Sequence, residues 1–133
     1  MKYDRLTRYL KVEIEGAEYK LRLTLGMFEE LEDTLPAGRT IISMMTNQET
    51  PSIKMLKKAF CLAMQRDERK AAEAHFNTYC AENGIQGAVA LFYALVAASQ
   101  LLGVKTSNEM LTSMGLLVKD EEAEIVEDKV KNG

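Results

Sequence analysis

At 133 residues, with 47% hydrophobic and 28% charged residues, the chain has the composition of a folded globular protein. It is large enough to bury roughly two thirds of the surface its unfolded chain exposes, which excludes wholesale disorder and any dependence on disulfides or metals for a core. The formal charge of −3 is unevenly placed, because six acids against three lysines fall between Lys119 and Gly133 and residues 1–118 sum to zero.

Lys2, Arg5, Arg8 and Lys11, set against Asp4, make a basic start. Nucleic-acid binding needs a wider cationic face, so the favoured reading is a charged edge strand kept soluble. Leu10, Val12 and Ile14 alternate with Lys11, Glu13 and Glu15, the period of a half-buried strand. Gly16-Ala17 offers a two-residue turn with glycine first, as type II′ requires. Tyr19, Leu21, Leu23 and Leu25 then alternate with Lys20, Arg22 and Thr24. With Gly26 as the corner, the period changes at Met27 to Phe28, Leu31 and Leu35, spacings that share one helical face. Two strands alone are marginal in water, so the hairpin needs a helical layer over its leucines.

Pro36-Ala37-Gly38 ends the first helix, and Ile41, Ile42, Met44 and Met45 form a short apolar turn or helix before the polar loop from Thr46 to Thr50. Thr50-Pro51 reads as a cap followed by proline at the first helical position. The helix after it carries Ile53, Leu56, Ala59, Phe60, Ala63 and Met64 on one side and Lys54, Lys57 and Lys58 on the other, closing at Arg66-Asp67. Asp67 caps a further helix through about Asn83, with Ala72, Phe76, Tyr79 and Cys80 inward and Gly84 as its terminator. From Gly87 to Val104 only Tyr93, Ser99 and Gln100 carry polar groups. Such a helix is a core element or a membrane span, and its alanine content and length, just short of about twenty apolar residues, favour the core. Thr106 and Glu109 form a capping box for a last short helix through Met110, Leu111 and Met114, ended by Gly115. The segment from Lys119 onward has high charge and few large hydrophobes and is expected to be mobile.

No pattern of a catalyst or cofactor site is present. His75 is the sole histidine and reads as a surface or boundary residue. There is no zinc spacing, no phosphate-cradling glycine loop and no nucleophile elbow. Cys61 and Cys80 have no C-x-x-C spacing and follow no signal peptide, so they are expected as small apolar residues in a reducing cytoplasm. Glu29, Glu30, Glu32 and Asp33 are read as a solvated helix face rather than a metal site. Eight methionines remain, and thioethers adapt to irregular apolar partners. Met44, Met45, Met110 and Met114, on short segments, together with Ile125 and Val126 among the tail acids, are the candidate protein-binding residues.

The run of hairpin, L-R-L-T-L-G (Leu21 to Gly26), glutamate-rich helix M-F-E-E-L-E (Met27 to Glu32), loop and amphipathic helix, best over Ala17 to Gln65, resembles the tail assembly chaperones of long-tailed bacteriophages, prophages and gene transfer agents. The chain departs from that pattern at Leu35-Pro36-Ala37-Gly38, where proline joins the glycine break. The resemblance implies a non-catalytic protein that covers the tape measure protein and helps recruit tail tube protein in the cytoplasm of a bacterial host. The alternative is a structural tail component, a tube or joining subunit retained in the virion. A small regulatory adaptor using the basic start stands third.

The expected architecture is therefore α+β. An N-terminal β-hairpin (about 8–25) packs on about five helices (about 26–118) in one domain, 1–118, followed by a mobile acidic tail, 119–133. No cofactor, metal, nucleic acid or membrane is expected as a partner, and homo-oligomerisation is left open.

Overall fold

The computed structural model describes residues 1–64 and 69–118. In chain order the elements are β1 (Lys2–Asp4), β2 (Tyr9–Ile14), β3 (Ala17–Leu21), α1 (Leu25–Glu32), α2 (Ile41–Thr46), α3 (Ile53–Met64), α4 (Arg69–Ser99) and α5 (Val104–Ser113). The α+β class is as expected, but the hairpin is two strands of a three-stranded antiparallel sheet with β2 in the centre. The added strand, Lys-Tyr-Asp, is too short to show a period of its own. Pairing with β2 is what makes it a strand, with Tyr3 opposite Leu10 and Asp4 opposite Tyr9.

The turn between β2 and β3 lies one residue earlier than its sequence suggests. Ile14 pairs with Ala17, which leaves Glu15 and Gly16 as the two turn residues, both at positive φ (51° and 80°). That is the type I′ pattern, whose twist matches that of the flanking strands. Glu15 adopts the left-handed region there, and its N–H donates to Glu82 Oε1 of α4 at 3.0 Å.

The sheet's inner face presents Leu10, Val12, Ile14 and Leu21, all buried, flanked by half-buried Tyr3 and Tyr19. Strand β3 stops at Leu21, where the Arg22 N–H donates to the Ala63 carbonyl of α3 (3.0 Å) and carries the chain off the sheet. Thr24 then takes the N-cap position of α1, so Gly26 is a helical residue and not the corner. Leu25 begins the helix and is 68% exposed, while Leu23, Phe28 and Leu31 enter the core.

Helix α2 is closed by a reciprocal capping pair: Thr40 Oγ1 accepts from Ser43 N, and the Thr40 N–H donates to Ser43 Oγ. Glu32 supplies a further acceptor, taking the Ile41 N–H at 2.8 Å and joining α1 to α2. The cap of α3 is Ser52 rather than Thr50, since its Oγ accepts from Met55 N and its carbonyl takes the first helical bond, from Leu56 N. Pro51, buried, precedes the cap. Moving the helix start by two residues turns Ile53 outward, 64% exposed, and puts Met55 in the core beside Leu56, Ala59, Phe60, Ala63 and Met64.

The segment α4 is two helices that meet at a kink at Gly84 (φ 76°, ψ 169°), a conformation essentially reserved for glycine. Asn83 Nδ2 bonds back to the Tyr79 carbonyl, and a Cβ on Gly87 would stand 2.6 Å from Asn83 Cβ. The break at Gly84 thus falls where expected, ending one helix before the next begins. Phe76 and Tyr79 from its first half meet Phe60 of α3, with ring centroids 5.5 and 5.9 Å apart. Its second half supplies Ala88, Leu91, Phe92 and Ala94 to Ala98, all buried, against β2, α3 and α5. By length and composition α4 would pass for a membrane span over Lys70–Ser99, yet its largest apolar residues are the core of this fold.

Gln100, at φ 63°, ends α4, and α5 begins at Val104 behind Gly103. The expected Thr106–Glu109 capping box does not start α5, because Ser107 N already bonds to the Gly103 carbonyl one turn upstream. At the other end Gly115 (φ 75°) closes α5 with paired bonds, Gly115 N to Thr112 O and Leu116 N to Leu111 O, a Schellman motif. The Asp67 cap and the acidic segment 119–133 lie outside the described residues.

Two glycine substitutions separate backbone strain from packing, since a Cβ at either Gly84 or Gly26 meets nothing within 4 Å. Gly84→Ala is expected to destabilise the fold by about 1–3 kcal/mol through φ/ψ strain alone. Gly26→Ala, in a helix, is expected to stabilise it by up to about 1 kcal/mol. Urea unfolding of the two variants checks the sign of each.

Candidate protein-binding surfaces

Three features stand out on the surface. The first is an open groove of about 760 Å³ where α1, α3 and α4 meet. One wall carries Glu30 of α1 with Asp33 and Thr34 just after that helix, the α3 wall carries Lys54, Lys57 and Lys58, and Cys61, Leu62, Ala72 and Glu73 complete it. The walls are tied together at two points. Lys58 Nζ donates to the Glu30 carbonyl (2.9 Å) near the C-terminal end of α1, where a cation suits the exposed carbonyls, and Lys57 faces Glu73 at 3.9 Å. Acidic and basic walls over a partly apolar floor suit an amphipathic segment better than a small polar substrate.

The second feature is on the outer face of the sheet. The register places Lys2 opposite Lys11 and Lys11 opposite Lys20, so three lysines stand side by side across β1, β2 and β3. Like charges directly opposite one another disfavour the pairing. Glu13 and Glu18, themselves paired, form the next row along that face. None of the three lysines has a carboxylate within ion-pair distance among the described residues.

The third feature is a smaller groove of about 330 Å³ around β1, lined by Lys2 to Leu6, Lys11, Leu116 and Leu117. The loop after β1 is held by Asp4, whose Oδ1 accepts from Leu6 N (3.0 Å) and whose carbonyl accepts from Arg8 N, with Arg8 at φ 63°. The Leu6 backbone N–H is the main reason that the Asp4 carboxyl is held below its ordinary value, with Lys11 adding to it. Arg22 Nη1 reaches the Thr7 carbonyl of the same loop, and its guanidinium lies over the Tyr9 ring at 4.8 Å.

The methionines chosen from the sequence divide. Met44 is 3% exposed and belongs to the core, because the short helix turns Ile41 and Met44 inward and leaves Ile42 outside. Met45, Met110 and Met114 are half-buried and pack on the core from α2 and α5. Ile125 and Val126 lie outside the described residues. The lysine row was missed because its members are nine residues apart in sequence, a spacing that carries no signal until two turns bring the strands into register.

Groups that could do chemistry are dispersed. His75 is half-buried with its ring 4.6 Å from that of Tyr19, and among the described residues no three His, Cys, Asp or Glu side chains converge as a metal site. Both cysteines are free thiols, and burial raises the pKa of Cys80, away from thiolate reactivity. Glu32 has a structural role at the start of α2, whereas Glu29, Glu30 and Asp33 are exposed.

A family model described as "Phage tail tube protein, GTA-gp10" matches residues 9–101, from the start of β2 past the end of α4. The chain belongs to this phage tail protein family. The match supports the resemblance to phage and gene transfer agent tail proteins, but its description points to a tail tube component, the alternative, rather than to an assembly chaperone. No curated protein and no solved structure matches the chain.

Two measurements check the local chemistry of this tail protein. A carboxylate held low in the folded state contributes stability that is complete above its unfolded pKa and is lost as pH falls through the lower folded value. An NMR titration is therefore expected to find Asp4 ionising below an ordinary aspartate, and Asp4→Asn to remove that acid-range contribution. Cys80 is expected to react with iodoacetamide at neutral pH more slowly than a cysteine in an unstructured peptide; equal rates would show that the fold does not restrain its thiol.

Proposed function

We propose that this protein is a non-catalytic structural component of a phage or gene transfer agent tail, a tube or joining subunit that works by binding its neighbours. The observation that carries this reading is the tail tube family match across strands β2 and β3 and helices α1 to α4. Its surface fits a binding role. The charged groove, the lysine row and exposed apolar side chains such as Leu6, Leu25 and Ile53 are available for contacts between subunits.

A second reading is an assembly chaperone that covers the tape measure protein in the bacterial cytoplasm and recruits tail tube protein. The groove between α1, α3 and α4 favours it, because opposed acidic and basic walls over Cys61, Leu62 and Ala72 suit the side of a long amphipathic helix.

Mass spectrometry of purified particles, with the producing cell lysate in parallel, separates the two readings. A structural component is expected in the particle in many copies per tail. Absence from particles, together with a lysate complex containing a large helical tail protein, would replace the structural reading with the chaperone one. In either case the double variant Lys54→Glu, Lys57→Glu is expected to lower tail yield if the groove is the contact, with the contact weakened about tenfold or more, the effect of losing about 1.4 kcal/mol.

A further inference from the structure

The lysine row has a feature that a solvated sheet face does not require. Lys2, Lys11 and Lys20 occupy directly opposed positions on three adjacent strands, about 10 Å from end to end at the usual strand spacing. Such a row opposes the pairing of its own sheet unless negative charge lies over it. The edge of this row, at Lys2 and Lys11, lines the β1 groove together with Leu116 and Leu117. The chain therefore reaches the β1 edge of the sheet, beside this face, just before its acidic segment begins. Within residues 119–133 stand Asp120, Glu121, Glu122, Glu124, Glu127 and Asp128, with Ile125-Val126 among them.

We propose that the segment 119–133 of this chain docks in cis on the basic face formed by Lys2, Lys11 and Lys20, entering through the β1 groove. Three observations support this occupant over a separate acidic partner. The charges are complementary: the segment carries six acids and three lysines, a net of −3, and the row's acidic neighbours on that face among the described residues are Asp4, whose carboxyl feels Lys11, and the like-charge pair Glu13 and Glu18. The segment starts at the groove, so little chain has to be ordered before contact and its effective concentration there is on the order of millimolar. Fifteen residues, at up to about 3.3 Å each, also exceed the span of the row several times over. Docking of this kind rests on exposed charge and is reversible. It weakens as salt rises, and a more strongly acidic partner can displace it.

The test uses the full-length chain, mixed from unlabelled and ¹⁵N-labelled preparations and treated with a zero-length carbodiimide cross-linker at low salt. Mass spectrometry is expected to find links from Lys2, Lys11 or Lys20 to carboxylates between Asp120 and Asp128, within copies of one label. These links are expected to fall at about 0.5 M salt, where the screening length is only a few ångströms. In parallel, cleavage of the tail by a glutamyl endopeptidase is expected to be about fivefold faster in Lys11→Glu, Lys20→Glu than in the unaltered chain. Should that variant fail to fold, Glu121→Lys, Glu122→Lys, Glu124→Lys tests the same contact from the tail, with loss of the cross-links expected. Links joining differently labelled copies would overturn the cis assignment in favour of an inter-subunit contact. Links distributed equally to Lys54, Lys57, Lys58 and Lys105, or no links to the row, would overturn the site.

Discussion

The fold depends on covering the second half of α4. Between Ala88 and Ala98 this helix has no polar side and must be surrounded by other elements of the chain. Strand β2 with its inward Leu10, Val12 and Ile14, the Phe60 face of α3, and Leu111 of α5 each supply part of the cover. Full burial of a side chain such as Leu91, Phe92 or Leu95 is worth about 1.5–3 kcal/mol. The ion pair of Arg39 with Glu49, more than a third exposed on both sides, is worth about 0–1 kcal/mol. Packing around α4 therefore sets the architecture, and the surface charges are left to serve other ends.

Several polar contacts then lock the covering elements in place. The Glu15–Gly16 turn of the sheet is bonded to Glu82, two residues before the Gly84 break, so the hairpin tip and the helix break meet at one point. Tyr93, from the middle of the apolar half, donates its hydroxyl to the Glu49 carbonyl and anchors the loop ahead of α3. Glu32 joins α1 to α2 by accepting the Ile41 N–H. Each contact satisfies a backbone group that a loop or helix start leaves open.

The surface departs from what stability alone would favour. Three lysines in register across a sheet, and a groove with one acidic and one basic wall, both hold charges in arrangements that a partner can complete. Local rules are commonly broken where a protein binds something. In this member of a phage tail protein family, both features lie on the outside of the packed core.

The periodicities of the sequence determined the element types. The two alternating strands, the amphipathic α3, the apolar half of α4 and the helix-ending roles of Gly84 and Gly115 were all legible, because each depends on side chains within a few residues. Tertiary structure decided what depends on distant partners. Strand β1 exists through its pairing with β2, and the choice of Ser52 over Thr50 as a cap turned Ile53 out of the core. The inward facing of Met44 removed one of the candidate binding residues. The binding surfaces were the least legible part, because no local pattern relates Lys2, Lys11 and Lys20, or Glu30 and Lys58. Hairpin register unites the first set and the approach of α1 to α3 the second.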